Sequence, residues 1–297
     1  MSLSLPALVT FMTLAAGAAL AAQPAPLPTL APAAALDRVL VIAPHPDDET
    51  LCCAGYLQQA LASGAQVAVV WITAGDSFEI DAIVTEHTLR PRGAGLERLG
   101  VRRIAEAHAA ADLLGVPRRQ QYVLGFPDRD LRALTYGPRT AVLRSRYTGV
   151  SAVPYAEALD PGAVYSGAQL RHDLQQVIDR FAPTIVLAAA PQDRHADHSA
   201  SGALVRELLH ATRSRARVYY WIVHAGHRWP SLRGLRPASP LRPPPLAASL
   251  EWQQLPLTPA QTTLKLQAVR AHRTQVEVMS RFLYGFVRAN EIFAAAP

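Results

Sequence analysis

Two short apolar runs each end abruptly in a cluster of acids and histidines, and this constrains the chain more than any other feature. Arg38 to Ala43 (RVLVIA) runs straight into Pro44-His45-Pro46-Asp47-Asp48-Glu49. Thr184 to Ala190 (TIVLAAA) runs into Pro191-Gln192-Asp193-Arg194-His195-Ala196-Asp197-His198. An unbroken apolar run of this length, rich in β-branched residues, reads as a strand covered on both faces. Strands covered on both faces need helices above and below the sheet.

The rest of the chain supplies those helices. Thr50 to Ser63 places Leu51, Ala54, Leu57 and Leu61 on one face, and Gly64 stops it. Gln66 to Thr73 (QVAVVWIT) is a second buried strand, which completes a βαβ unit. Helical patterns follow over 96–114, 168–181, 199–211 and 259–275, with strands at 121–124 and 217–223. The segments 76–93, 128–166 and 227–247 read as irregular. A loop as long as 128–166 is usually functional, and it reads as a flap or substrate wall. The alternation predicts a single α/β domain over 37–297, Rossmann-like, with a mostly parallel sheet and helices on both faces.

Composition narrows the setting. Half of the 297 residues are hydrophobic and 18% are charged, enough for a sizeable core and too apolar for a disordered chain. The net charge of +6 comes from scattered arginines, since Lys265 is the one lysine. No basic run interleaved with aromatics points to nucleic acid. Residues 1–21 form an apolar, Ala-rich leader ending in the small-x-small pattern Ala19-Leu20-Ala21, although its start lacks Lys and Arg. It reads as a signal peptide, too short for a membrane span, so a periplasmic or secreted location is expected. Residues 22–36 are rich in Pro and Ala and read as a flexible linker. Cys52 and Cys53 are adjacent, an arrangement that rarely suits a disulfide, so two small buried helix residues are expected.

In open α/β sheets, ligands sit beyond the carboxyl ends of the strands. Both polar clusters are placed there. Asp47, Asp48, Glu49 and Asp197 also sit where helices begin and could cap them. Capping needs one acid, however, and does not explain histidines beside acids at two separate strand ends. A catalytic zinc takes three protein ligands and leaves one position open. His45 and Asp48 lie three apart on the turn into a helix, and His198 comes from the other strand. These three form a two-histidine, one-carboxylate set for Zn2+, and the same set would hold iron or another divalent metal.

At these residues the chain resembles the LmbE-like (PIG-L) N-acetylglucosaminyl deacetylases. The resemblance rests on Ala43-Pro44-His45-Pro46-Asp47-Asp48-Glu49-Thr50 and on Pro191-x-Asp193-x-His195-x-Asp197-His198. Weaker echoes are Arg103-x-x-Glu106, Gly125-Phe126-Pro127-Asp128, and Lys265 with His272 and Gln275. One departure is Cys52-Cys53-Ala54-Gly55, where the family often has Gly-Cys-Gly-Gly.

The resemblance implies hydrolysis of the N-acetyl group of an amino sugar or glycan. Asp47 would be general base toward water, and His195, as a cation, would hold the oxyanion. Asp197 would orient His195, and Arg103 and Asp128 would contact the sugar. The alternatives are a non-catalytic exported glycan-binding protein on this scaffold and a different metallohydrolase. A two-metal phosphoesterase needs more converging carboxylates. A dinucleotide oxidoreductase needs a glycine-rich turn where this chain has Pro-His-Pro-Asp-Asp-Glu. Of the remaining histidines, His87, His108, His172 and His210 read as loop or exposed positions, while His224, His227 and Trp229 follow a strand end.

Overall fold

The computed structural model describes residues 26–86 and 91–296. The expected signal peptide and His87 lie outside the described residues. Seven strands form one sheet: β1 (Arg38–Ala43), β2 (Gln66–Thr73), β3 (Gln121–Phe126), β4 (Ile185–Ala189), β5 (Arg217–Trp221), β6 (Trp252–Pro256) and β7 (Asn290–Ala295). Their order is β3-β2-β1-β4-β5-β7-β6. The first five run parallel, and β7 and β6 add an antiparallel edge.

The helices are α1 (Asp48–Ala62), α2 (Glu79–Glu86), α3 (Ala94–Leu113), α4 (Leu131–Tyr136), α5 (Gly167–Phe181), α6 (Ala196–Ala211), α7 (Pro259–Ala271) and α8 (Arg273–Leu283). α1, α3 and α7 pack together on one side of the sheet, and α4, α5 and α6 form the other group. The expected architecture therefore holds, and its core is the near-fully buried run of β1, β2 and β4. Close layering depends on glycine at one contact. A Cβ on Gly202 of α6 would overlap the carbonyl oxygen of Ala189 at the end of β4.

Several expectations need correction. The segment 76–93 is not all loop, because α2 occupies its middle. The helix expected over 259–275 breaks at His272 (φ −77°, ψ 65°) into α7 and α8. β6 and β7 escaped notice because an antiparallel edge strand such as WQQLP has no continuous apolar run. Part of the expected linker docks on this edge: Leu30 N–H donates to Gln254 O and Gln254 N–H to Pro28 O, both at 2.8 Å, and Leu30 is buried. A strand edge left bare would offer unpaired backbone groups, and this segment covers them. Cys52 and Cys53 are buried on α1 as expected, but they are joined as a disulfide. His108 is buried, with Nδ1 2.6 Å from Gln121 Oε1.

The long 128–166 segment is anchored by Tyr155. Its ring fills a slot that Cβ atoms on Gly100 and Gly125 would obstruct. Its hydroxyl donates to Asp76 Oδ2 at 2.5 Å. Burial, reinforced by the Asp128 charge, pushes the Asp76 carboxyl up to about 7.

Two outcomes follow from these contacts. Gly202→Ala forces α6 off β4 and should cost about 1–3 kcal/mol or more, read as a lower Tm with unchanged far-UV dichroism at 20 °C. An acid whose folded pKa is raised gives stability that is full below its unfolded value near 4 and is lost as pH rises through about 7. Asp76→Asn should therefore show a flatter decline in Tm than wild type between pH 5 and pH 8; parallel curves would contradict the assignment.

Candidate metal centre

The strand order reverses between β1 and β4, because the chain goes outward to β3 on one side and to β5 on the other. Such a switch point opens a crevice at the carboxyl ends of the two strands. Ile42 pairs with Ala188 across it, so both polar clusters emerge side by side. His45 Nδ1 lies 3.3 Å from Asp48 Oδ2 and 3.2 Å from His198 Nε2, and His198 Nε2 lies 3.2 Å from Asp48 Oδ2. Three donor atoms thus form a nearly equilateral triangle. Zinc bonded at about 2.0–2.1 Å in a tetrahedron needs donor edges of about 3.3 Å. The donor chemistry and the spacing both fit a single divalent cation.

Each histidine is held through its other nitrogen. His45 Nε2 lies 3.1 Å from Asp128 Oδ1 and 3.3 Å from Asp197 Oδ2. His198 Nδ1 lies 3.3 Å from Asp193 Oδ2. Carboxylates in this position fix ring orientation and raise the basicity of metal-binding histidines. The carboxylates are themselves clamped. Asp193 accepts from the N–H groups of His195, Val223 and His224, and Asp197 accepts from those of Arg129 and Leu131. Although burial opposes it, Asp48 and Asp193 push His198 up to about 10, and Asp128 lifts His45 well above neutrality. Against the same burial, His198 holds Asp48 far below the usual carboxylate range. So much buried negative charge demands compensating positive charge at its centre. Two overlapping donor triplets, His45/His195/His198 and Asp48/His198/His224, extend around the same point.

Asp47 stands apart from this shell. It precedes α1 at φ 121°, in the left-handed region that disfavours a side chain, and its carboxylate makes no capping bond. The strain leaves that carboxylate facing the cavity instead of the helix. Burial pushes it up to about 7, with the Arg103 charge opposing. Arg103 donates to Gly75 O at 2.7 Å and Pro46 O at 2.8 Å, and its Nη2 lies 3.4 Å from Asp47 Oδ2. Gly75 makes room for this guanidinium, since a Cβ there would overlap it. Thr50, Trp71 and His272 surround Glu49, which accepts from Asp47 N–H at 3.2 Å.

Asp47, His195, Arg103, Asp128, Arg129, Gln275, Met279 and Phe282 are among the residues around a cavity of about 210 Å³ that opens on His45 and Asp48. The structure brings all eight sequence-identified residues within this neighbourhood and shows what each of them touches. Both carboxylate oxygens of Asp128 are engaged by protein, one by His45 and one by the Ser77 N–H, so its fixed contact is a ligand histidine. The Asp197 carboxylate lies on His45 and the 129–131 backbone; only its backbone N–H reaches His195, donating to Nδ1 at 3.3 Å. Burial, then the charges of His45 and His198, pulls the His195 imidazole below its ordinary value, which works against the expected cation. Arg103 is 4% exposed and tied to backbone and Asp47, which makes it a brace for Asp47.

Reading the chain missed the bracing role of Asp193 and the wall made by Gln275, Met279 and Phe282. The first was visible as an acid inside the second cluster. Of the second, Gln275 was visible as a weak echo of the family, whereas Met279 and Phe282 had no local signal, because α8 reaches the site only through tertiary packing. His224 lines the cavity and His227 a neighbouring one, whereas Trp229 is buried against Phe286.

The chain is similar to known proteins over most of its length. A 1D-myo-inositol 2-acetamido-2-deoxy-alpha-D-glucopyranoside deacetylase from Saccharomonospora viridis is 27% identical over 253 residues, covering 81% of this chain and 85% of its own. The protein of the same name from Corynebacterium glutamicum is 24% identical over 62% of this chain and 55% of its own. N,N'-diacetylchitobiose deacetylase from Pyrococcus horikoshii superposes with a TM-score of 0.53 at 20% identity, covering 88% and 84% of the two chains. The zinc-inhibited form of teicoplanin deacetylase Orf2 gives 0.56 at 21%, covering 87% and 97%. Residues 40–209, which include both polar clusters, match the family model described as GlcNAc-PI de-N-acetylase, and the chain belongs to this PIG-L family.

Proposed function

We propose that the protein is a zinc-dependent hydrolase that removes the N-acetyl group from an N-acetylglucosamine-type sugar or glycoconjugate. The triangle of His45, Asp48 and His198 carries this reading, because its 3.2–3.3 Å edges suit one tetrahedral ion and leave a face toward the cavity. The deacetylases among its relatives support the substrate class. The apolar leader supports export to the periplasm or beyond.

When bound, the metal would polarise the amide carbonyl and acidify water at the open face. The chain's own residues do the rest. Asp47, buried and poised near 7, takes a proton from the attacking water. Arg103 and the Asp47–Glu49 contact keep that carboxylate aimed at the cavity. The Asp197 N–H bonds to His195 Nδ1, which places the ring proton on Nε2. A neutral Nε2–H can then donate to the developing oxyanion. Asp47, once protonated, can pass its proton to the leaving amine. Phe78, Leu51, Val223 and Met279 form the apolar wall that suits an acetyl methyl.

Three measurements check this. Acetate release from a panel of N-acetylated glycans should stop on chelation and return with zinc. Asp47→Asn should lower kcat by about 10²–10⁴ while zinc content stays at one per chain; retained activity would overturn the base assignment. His198→Ala should lose the metal itself, and full zinc occupancy in that variant would show the ligand set to be wrong.

A further inference from the structure

The 210 Å³ cavity is small for anything larger than the reacting sugar, since pockets for drug-sized ligands run to about 300–1,000 Å³. Two more cavities adjoin it, of about 310 and 510 Å³. His224 and Phe282 line all three and form the ridge between them. Their rings stack, with centroids 5.5 Å apart and planes 16° from parallel. The Arg233 guanidinium sits 5.1 Å above the Phe282 ring. Arg194, His227 and Arg281 complete the rim, and among the described residues no carboxylate lines either adjoining cavity. Gly226 (φ 109°) keeps the floor low, because a Cβ there would come within 3.1 Å of Arg194 Nη1.

Guanidinium groups with no carboxylate partner among the described residues, set over an aromatic floor, favour a planar anion, which arginine binds through paired hydrogen bonds. His227, Arg233, Arg281 and Phe282 lie outside the stretch 40–209 that matches the family model, and Arg194 lies inside it. We propose that it is a subsite for a carboxylate or phosphate carried by the unit next to the N-acetylated sugar. The inference rests on the deacetylase reading and narrows its substrate class to acidic glycans.

The test uses the zinc-loaded full chain and three disaccharides: N-acetylglucosamine linked to glucuronate, to glucose, and to glucose 6-phosphate. The anionic pair should exceed the neutral one in kcat/KM by about tenfold or more, mainly through KM. The advantage should shrink in 0.5 M NaCl, which screens exposed charge. Whichever anion wins identifies the source. Arg233→Ala should bring the anionic-to-neutral ratio close to one, and Arg233→Lys should restore part of it. Equal kcat/KM for all three, or a ratio unmoved by Arg233→Ala, overturns the subsite while leaving the deacetylase reading intact. Calorimetric titration of the glucuronate and glucose disaccharides into wild type and Arg233→Ala reads the subsite directly. Absence of turnover on all three would therefore count against the reaction alone, and absence of an Arg233-dependent preference in binding would count against the subsite.

Discussion

Parallel pairing of β1 with β4 is the contact on which the remainder depends. It sets Ile42 opposite Ala188 and so delivers two loops to one crevice, though they are separated by about half the chain. One loop brings His45, Asp47 and Asp48, and the other Asp193, His195, Asp197 and His198. A shift of one residue would turn each side chain to the other face of its strand. The apolar blocks that specify this register also exclude water from the site above them, which magnifies every charge placed there.

The electrostatics follow from that exclusion. Four aspartates converge on two histidines in a space with almost no solvent, which is unfavourable unless positive charge sits among them. Backbone N–H groups of His195, Val223, His224, Arg129 and Leu131 brace two of the acids and fix where their carboxylates point. Asp47 is treated differently. Backbone strain turns it away from helix capping, and Arg103 steadies it without filling the cavity. Two neighbouring acids, one residue apart, are thereby split between a firmly ionised carboxylate and one poised near neutrality.

The segments around this nucleus serve it from a distance. Tyr155 pins the long 128–166 excursion to Asp76, and that excursion returns the N–H groups of Arg129 and Leu131 to Asp197. α8 closes the opposite side with Gln275, Met279 and Phe282. The site is thus built from both halves of the matched family stretch and from a later helix outside it.

The buried parallel strands, the helices that cover them and the polar residues at their ends can all be read from the order of residues alone. These are local properties: a continuous apolar run, a helical period, and acids beside histidines declare themselves within a few residues. What each acid touches is settled by how the folded chain packs. Asp128 lies on His45, Asp193 braces His198, and the Asp197 carboxylate turns from His195 toward the 129–131 backbone, because each choice depends on partners brought in by distant strands. The edge strands β6 and β7 and the break at His272 were hidden for the same reason. Their stabilising contacts are non-local, and no short window of sequence contains both sides of such a contact.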